Sequence, residues 1–207
     1  MAIDQRTVRL RRHNGGVSPA DAWPGPEEPF RVGDLGRMPD DGQRYELLDG
    51  ALVVSPAPGL PHQRATAMLC HALELACPED LVVFLSVGVE LGVHGALGPD
   101  AVVARRSGTR LVMPPLLVAE ILSPDSVPQD LNVKKAAYQR FGVPSYWRID
   151  PDPEQPSLWA FRLVAGEYRE TAHAAADVPF RAEEPFAVEI VPSQLVSKLR
   201  SSENERS

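Results

Sequence analysis

The chain has 207 residues, 43% of them hydrophobic, with a formal net charge of −7. That length supports one sizeable core in preference to two, and the acidity excludes a protein that coats nucleic acid nonspecifically by neutralising phosphates. No stretch approaches the roughly 18 uncharged apolar residues of a membrane span and the start lacks a signal-peptide core, so a soluble, cytoplasmic protein is expected.

Residues 1–30 combine Gly15-Gly16 and Pro19, Pro24, Pro26 and Pro29 with paired charges and no apolar period, which predicts a flexible N-terminal arm, extended or partly disordered. A folded domain is expected over 31–192 and a short tail over 193–207. Tyr45 to Leu48, then Asp49-Gly50, then Ala51 to Val54 predicts an antiparallel hairpin, because Asp-Gly supplies the positive φ values of a type I′ turn. From His62, the residues Ala65, Met68, Leu69, Ala72, Leu73 and Ala76 recur at helical spacing, and Pro78 ends the run. Cys70 and Cys77 lie on this helix about 10 Å apart at about 1.5 Å per residue, too far for a disulfide, and read as reduced core residues.

Val82 to Leu85 and Val87 to Leu91 predict two extended pieces, followed by strands at Asp100 to Ala104 and Leu116 to Leu122. A helix is expected from Ser126, with Gln129 completing a capping box, to Phe141, with Gly142 as its stop. Its expected apolar face is Val133, Ala136, Ala137 and Phe141. Ser145 to Ile149 reads as the next strand, and Leu158 to Leu163 pairs with Tyr168 to His173 through Ala165-Gly166. The sheet is expected to end near Ile190, with one short helix after Ser193. The order predicts an α/β fold, a mixed sheet flanked by helices with additional β-hairpins.

Two carboxylates stand out because each interrupts a run that otherwise reads as buried. Asp100 opens Ala101 to Ala104, and Glu120 sits inside Leu116 to Leu122. An ionised carboxylate in apolar surroundings costs several kcal/mol or neutralises itself, and two close together repel; a bound cation resolves both. Asp100, Glu120 and the backbone carbonyl of Ile121 would suffice to hold Mg²⁺ or Mn²⁺ with positions open for water and phosphate. Lys134, early in the following helix, would place an ammonium near the attacking water or the scissile phosphate, with Lys135 as its rival about 100° further round the helix. Local basic patches that phosphate binding would need occur at Arg6, Arg9, Arg11, Arg12 and His13, at Arg105, Arg106 and Arg110, and at Lys134, Lys135 and Arg140. Solvated surface charge is the plainer reading of the arginine loop.

These residues resemble the PD-(D/E)xK nuclease pattern and, more closely, the Uma2-like restriction endonuclease family. The resemblance spans roughly Tyr45 to Pro151: the Tyr45-Glu46-Leu47-Leu48-Asp49-Gly50 opening, Ser55-Pro56 and then His62, Pro99-Asp100, Val118-Ala119-Glu120-Ile121-Leu122-Ser123-Pro124, the Asp130 to Lys134 spacing, and Tyr138, Gly142-Val143 and Tyr146-Trp147 before Asp150-Pro151. It implies a restriction-endonuclease-like core and metal-dependent cleavage of DNA, with Asp100 and Glu120 as metal ligands and Lys134 as catalytic lysine. It also makes Glu46 a candidate to complete the metal shell. Leu122 stands where the general pattern has its strand lysine, so the lysine must come from the helix. His62 either caps and packs or orients water and phosphate, and Asp130 reads as an early-turn acid favoured by the helix dipole.

Other chemistries find little support. Cys70 and His71 diverge around a helix and no Cys-x₂-Cys pair exists for zinc. Ser123 and Ser145 lack a nucleophile-elbow context, and no phosphate loop is present. A nuclease-like scaffold acting as a binding or assembly module is the alternative from another class, and RNA or a small phosphoester is the alternative substrate. Many nucleases of the fold the resemblance implies act as dimers so that two sites meet two strands, and a homodimer is therefore expected.

Overall fold

The structure, a computed structural model, describes residues 28–107, 110–111, 113–123 and 128–199. Most of the expected N-terminal arm, the end of the tail, the Ser126 cap, the basic cluster from Arg6 to His13, and the side chains of Arg106, Arg110 and Asp130 lie outside what is described.

Asp49 and Gly50 take φ values of 48° and 83°, as the predicted turn demands, and join β1 (Arg44–Leu48) to β2 (Ala51–Ser55) with Leu48 opposite Ala51. A short helix absent from the sequence reading, α1 (Val32–Leu35), precedes them. α2 (Leu60–Ala76) buries His62, Ala65, Thr66, Leu69, Cys70 and Leu73 along one stripe, and β3 (Leu81–Leu85) follows.

The segment before Asp100 departs from expectation. It forms two residue pairs, β4 (Val89–Glu90) and β5 (Ala96–Leu97), folded back on each other. β5 pairs with β1 through Leu47 and Ala96, so the hairpin becomes part of a four-stranded sheet ordered β2-β1-β5-β4. Alternation over two residues is too short to show a partner, yet this pairing carries β1 alongside the chain that enters Asp100.

The main sheet is built from β6 (Ala101–Ser107), β8 (Leu117–Ile121), β9 (Ser145–Asp150), β10 (Ser157–Val164) and β11 (Glu167–Ala175), with β7 (Arg110–Leu111) paired to β6. Its order is β11-β10-β9-β8-β6-β3. Only β8 and β9 run parallel among these pairs, and α3 (Pro128–Phe141) supplies the crossover a parallel pair requires. Strand β8 is buried along its whole length, because both faces are covered. α2 lies over Ala101, Val103, Leu117, Ala119 and Ile121; α3 lies over Val102, Ala104 and Val118 through Ala137 and Tyr138.

Two further expectations are corrected. The inward face of α3 is phased one residue later than the sequence suggested: Tyr138 is fully buried while Val133 is 41% exposed. The chain near Ile190 does not end the main sheet. β12 (Phe180–Ala182) and β13 (Val188–Ile190) pair with each other, and Phe180 meets Trp147 edge-on at 5.2 Å; α4 (Pro192–Leu195) follows.

Candidate functional site

Asp100 sits one residue before β6 and is 2% exposed. Its amide donates to the Ala119 carbonyl at 3.0 Å, which ties the strand start to β8. Its Oδ2 accepts from the Ile121 amide at 2.8 Å and lies 3.1 Å from His62 Nε2, while Arg44 Nη1 reaches Oδ1 at 3.1 Å. Burial alone would raise the carboxyl's pKa. His62, Arg44 and the Ile121 amide outweigh it and hold Asp100 below the usual carboxylate value.

Glu120 projects from β8 toward α3. Tyr138 donates its hydroxyl to Oε1 at 2.7 Å, and Lys134 Nζ stands 3.7 Å from Oε2. Lys134 and Tyr138 are four residues apart and so share one helix face. Burial pushes Glu120 up, Asp100 and Glu46 push the same way, and Lys134 and Tyr138 only partly counter them, leaving its pKa at about 7. For Lys134, burial opposes the charged form but Glu120 and Glu46 more than reverse this, so the ammonium is held above its ordinary value.

Glu46 closes the cluster. Its carboxylate lies 2.7 and 2.9 Å from Lys134 Nζ and accepts the Gly98 amide at 2.8 Å. Arg44, two residues earlier on the same face of β1, also donates to the Gly98 carbonyl. The β1–β5 pairing makes both contacts geometrically available.

The structure thus brings together Asp100, Glu120, Lys134, Glu46 and His62. Ile121 contributes its amide to Asp100 and lines the same cleft. Lys135 goes elsewhere, its Nζ 3.3 Å from the centre of the Phe161 ring. Arg140 pairs with Asp49 on the surface, and Arg105 stands 3.7 Å from Asp80. Sequence reasoning gave no role to Arg44 or Tyr138. The signals were the i, i+2 spacing of Arg44 with Glu46 and the i, i+4 spacing of Lys134 with Tyr138.

Glu46, His62, Asp100, Glu120, Ile121 and Lys134 line a cleft of about 600 Å³. Among the described residues no three His, Cys, Asp or Glu side chains form a self-sufficient metal cage. The two buried carboxylates, Asp100 and Glu120, are the hard oxygen donors that Mg²⁺ takes one or two of while completing its octahedron with water and substrate oxygens.

Residues 32–195 match a family model described as "Uma2: Putative restriction endonuclease". A crystal structure of "a putative nuclease belonging to DUF820" from Anabaena variabilis superposes with a TM-score of 0.64 at 18% identity, covering 82% of this chain and 98% of that one. At that identity the likeness speaks to the fold. An error-prone DNA polymerase of Aromatoleum aromaticum is 31% identical over 153 residues, which is 70% of this chain and 13% of the polymerase. This chain therefore spans a small fraction of that relative's length.

Proposed function

The chain belongs to the Uma2 family, and from that membership and the geometry of its cleft we propose that it is a metal-dependent endonuclease hydrolysing phosphodiester bonds in DNA. The observation that carries the reading is the convergence of two buried acids from adjacent strands with a helix lysine on one open cleft. Asp100 and Glu120 would hold Mg²⁺ or Mn²⁺, with the Ile121 carbonyl as a third oxygen. When bound, such an ion supplies a more acidic water and neutralises charge on the phosphate.

The remaining residues prepare that chemistry. Arg44, His62 and the Ile121 amide keep Asp100 ionised and fix both its oxygens. Tyr138 orients Glu120. Lys134, held protonated between Glu46 and Glu120, acts as a fixed cation and hydrogen-bond donor toward phosphate oxygens, not as a base. Glu46 acts through it, as a positioning residue.

Plasmid nicking tests the reading. Wild type should convert supercoiled DNA in Mg²⁺ or Mn²⁺ and lose this in EDTA, and Glu120→Ala should be inactive in both metals. Equal turnover by the variant, or turnover untouched by EDTA, would refute it. One observation favours a second reading, a catalytically silent binding module: Lys134 and Arg44 already pair with the buried acids. In that case neither metal would support turnover or stabilise the fold.

A further inference from the structure

A row of side chains leaves the site across the face of the sheet that carries Glu120. In the strand register Glu120 is opposite Arg148, Arg148 opposite Trp159, and Trp159 opposite His173. The Arg148 guanidinium lies 4.3 Å from the Trp159 ring centre, and the His173 ring stacks on Trp159 at 4.7 Å with planes 10° apart. Arg148 and Trp159 are half-buried, and His173 is exposed on β11, the edge strand. Beside the row, Lys135 covers Phe161.

The cations along this row rest on rings and not on carboxylates. Among the described residues, Arg148 makes no ion pair, and its buried Nε has no hydrogen-bond partner. Lys135 likewise has no ion pair there. Burial and Arg148 both depress its ammonium, and only Glu170 opposes them. A protein with net charge −7 has acids in excess, so two neighbouring cations left unpaired on aromatic rings call for an external anion. Cation–π contact and cross-strand stacking explain how the rings hold the cations; they do not explain why no carboxylate was placed between them.

Resting on the nuclease reading above, we propose that Lys135, Arg148, Trp159 and His173 form a substrate track that binds an unpaired nucleic-acid strand on one side of the scissile phosphate. Lys135 and Arg148 take backbone phosphates, and the outer face of His173 ends the column as a platform for a base. Strands about 4.8 Å apart put His173 about 14 Å from Glu120, close to four stacked nucleotides at about 3.4 Å each. Base–aromatic stacking tolerates any sequence, because every base has a π-face.

The test is fluorescence anisotropy with a short fluorescein-labelled single strand in EDTA, and kcat and KM for the same strand in Mg²⁺. His173→Ala, on an exposed edge, should weaken binding about fivefold, the lower end of measured stacking effects, and Trp159→Ala more, each raising KM with kcat little changed. Lys135→Gln should reduce the salt dependence of binding by about one phosphate contact. An abasic nucleotide at the stacked position should weaken wild type and leave His173→Ala unaffected. If folded His173→Ala and Lys135→Gln proteins match wild type in affinity, KM and salt slope, or wild type fails to bind the strand at low salt, the track is overturned. Loss of the track with metal-dependent cleavage intact leaves the nuclease reading standing. Strand binding through the track by a protein that never cleaves overturns that reading and keeps the track.

Discussion

Glu120→Gln should make the metal-free protein more stable, by a margin that grows as pH climbs from about 4.5 to 7. Burial with Asp100 and Glu46 nearby lifts Glu120 from 4.5 to about 7. A group whose folded pKa is raised contributes stability below its unfolded value and loses it as pH climbs through the folded one. Wild type should therefore weaken between about pH 4.5 and 7 relative to a variant that cannot ionise, with the difference complete near pH 8. At about 1.36 kcal/mol per pKa unit the rise is worth roughly 3 kcal/mol, or about 6–12 °C in Tm for a domain of this size. Glutamine keeps an oxygen for the Tyr138 hydroxyl, and Lys134 retains Glu46 at 2.7 Å, so neither present partner of Glu120 is left without an acceptor. Thermal or urea melts in EDTA at about pH 4 and pH 8 read the effect. Near pH 4 the two proteins should melt together. A glutamine variant less stable than wild type at pH 8, or a pH-independent difference, would refute the electrostatic account. Adding Mg²⁺ should then reverse the order at pH 8: at about 1,000 times the dissociation constant it stabilises wild type by about 4.1 kcal/mol, more than the deficit, and leaves the variant unmoved.

Lys134→Met keeps the length of the side chain but leaves Glu46 and Glu120 facing each other without their cation; it should destabilise the fold by about 3–5 kcal/mol, measured by urea melts, and abolish nicking. Gly50→Ala should cost more than about 1 kcal/mol, because the residue holds φ 83° and a Cβ there would fall 2.6 Å from Pro29 Cβ; a melt unchanged within error would show that the turn relaxes.

What the sequence disclosed about the site follows from the locality of the cost it carries. An acid inside an apolar strand is conspicuous without a partner in view, so Asp100 and Glu120 could be read from seven-residue windows, as could the Asp49-Gly50 turn and the stripe of α2. Their counter-charges could not, because no local penalty marks them. Arg44 and Glu46 occupy an ordinary alternating strand, and they face Gly98 and Asp100 only because Leu47 pairs with Ala96, a contact made by a two-residue strand with no period of its own. The choice between Lys134 and Lys135 turned on the phase of α3. Reading Val133 as inward placed that phase one residue early, and Tyr138, a polar-tipped aromatic, was the residue that could have set it: a tyrosine buried on a helix needs an acceptor, and the face that delivers its hydroxyl to Glu120 carries Lys134 one turn earlier. The same shift sends Lys135 to the outer rings with Arg148, so a single rotation of the helix divides the two lysines between the acid cluster and the aromatic row.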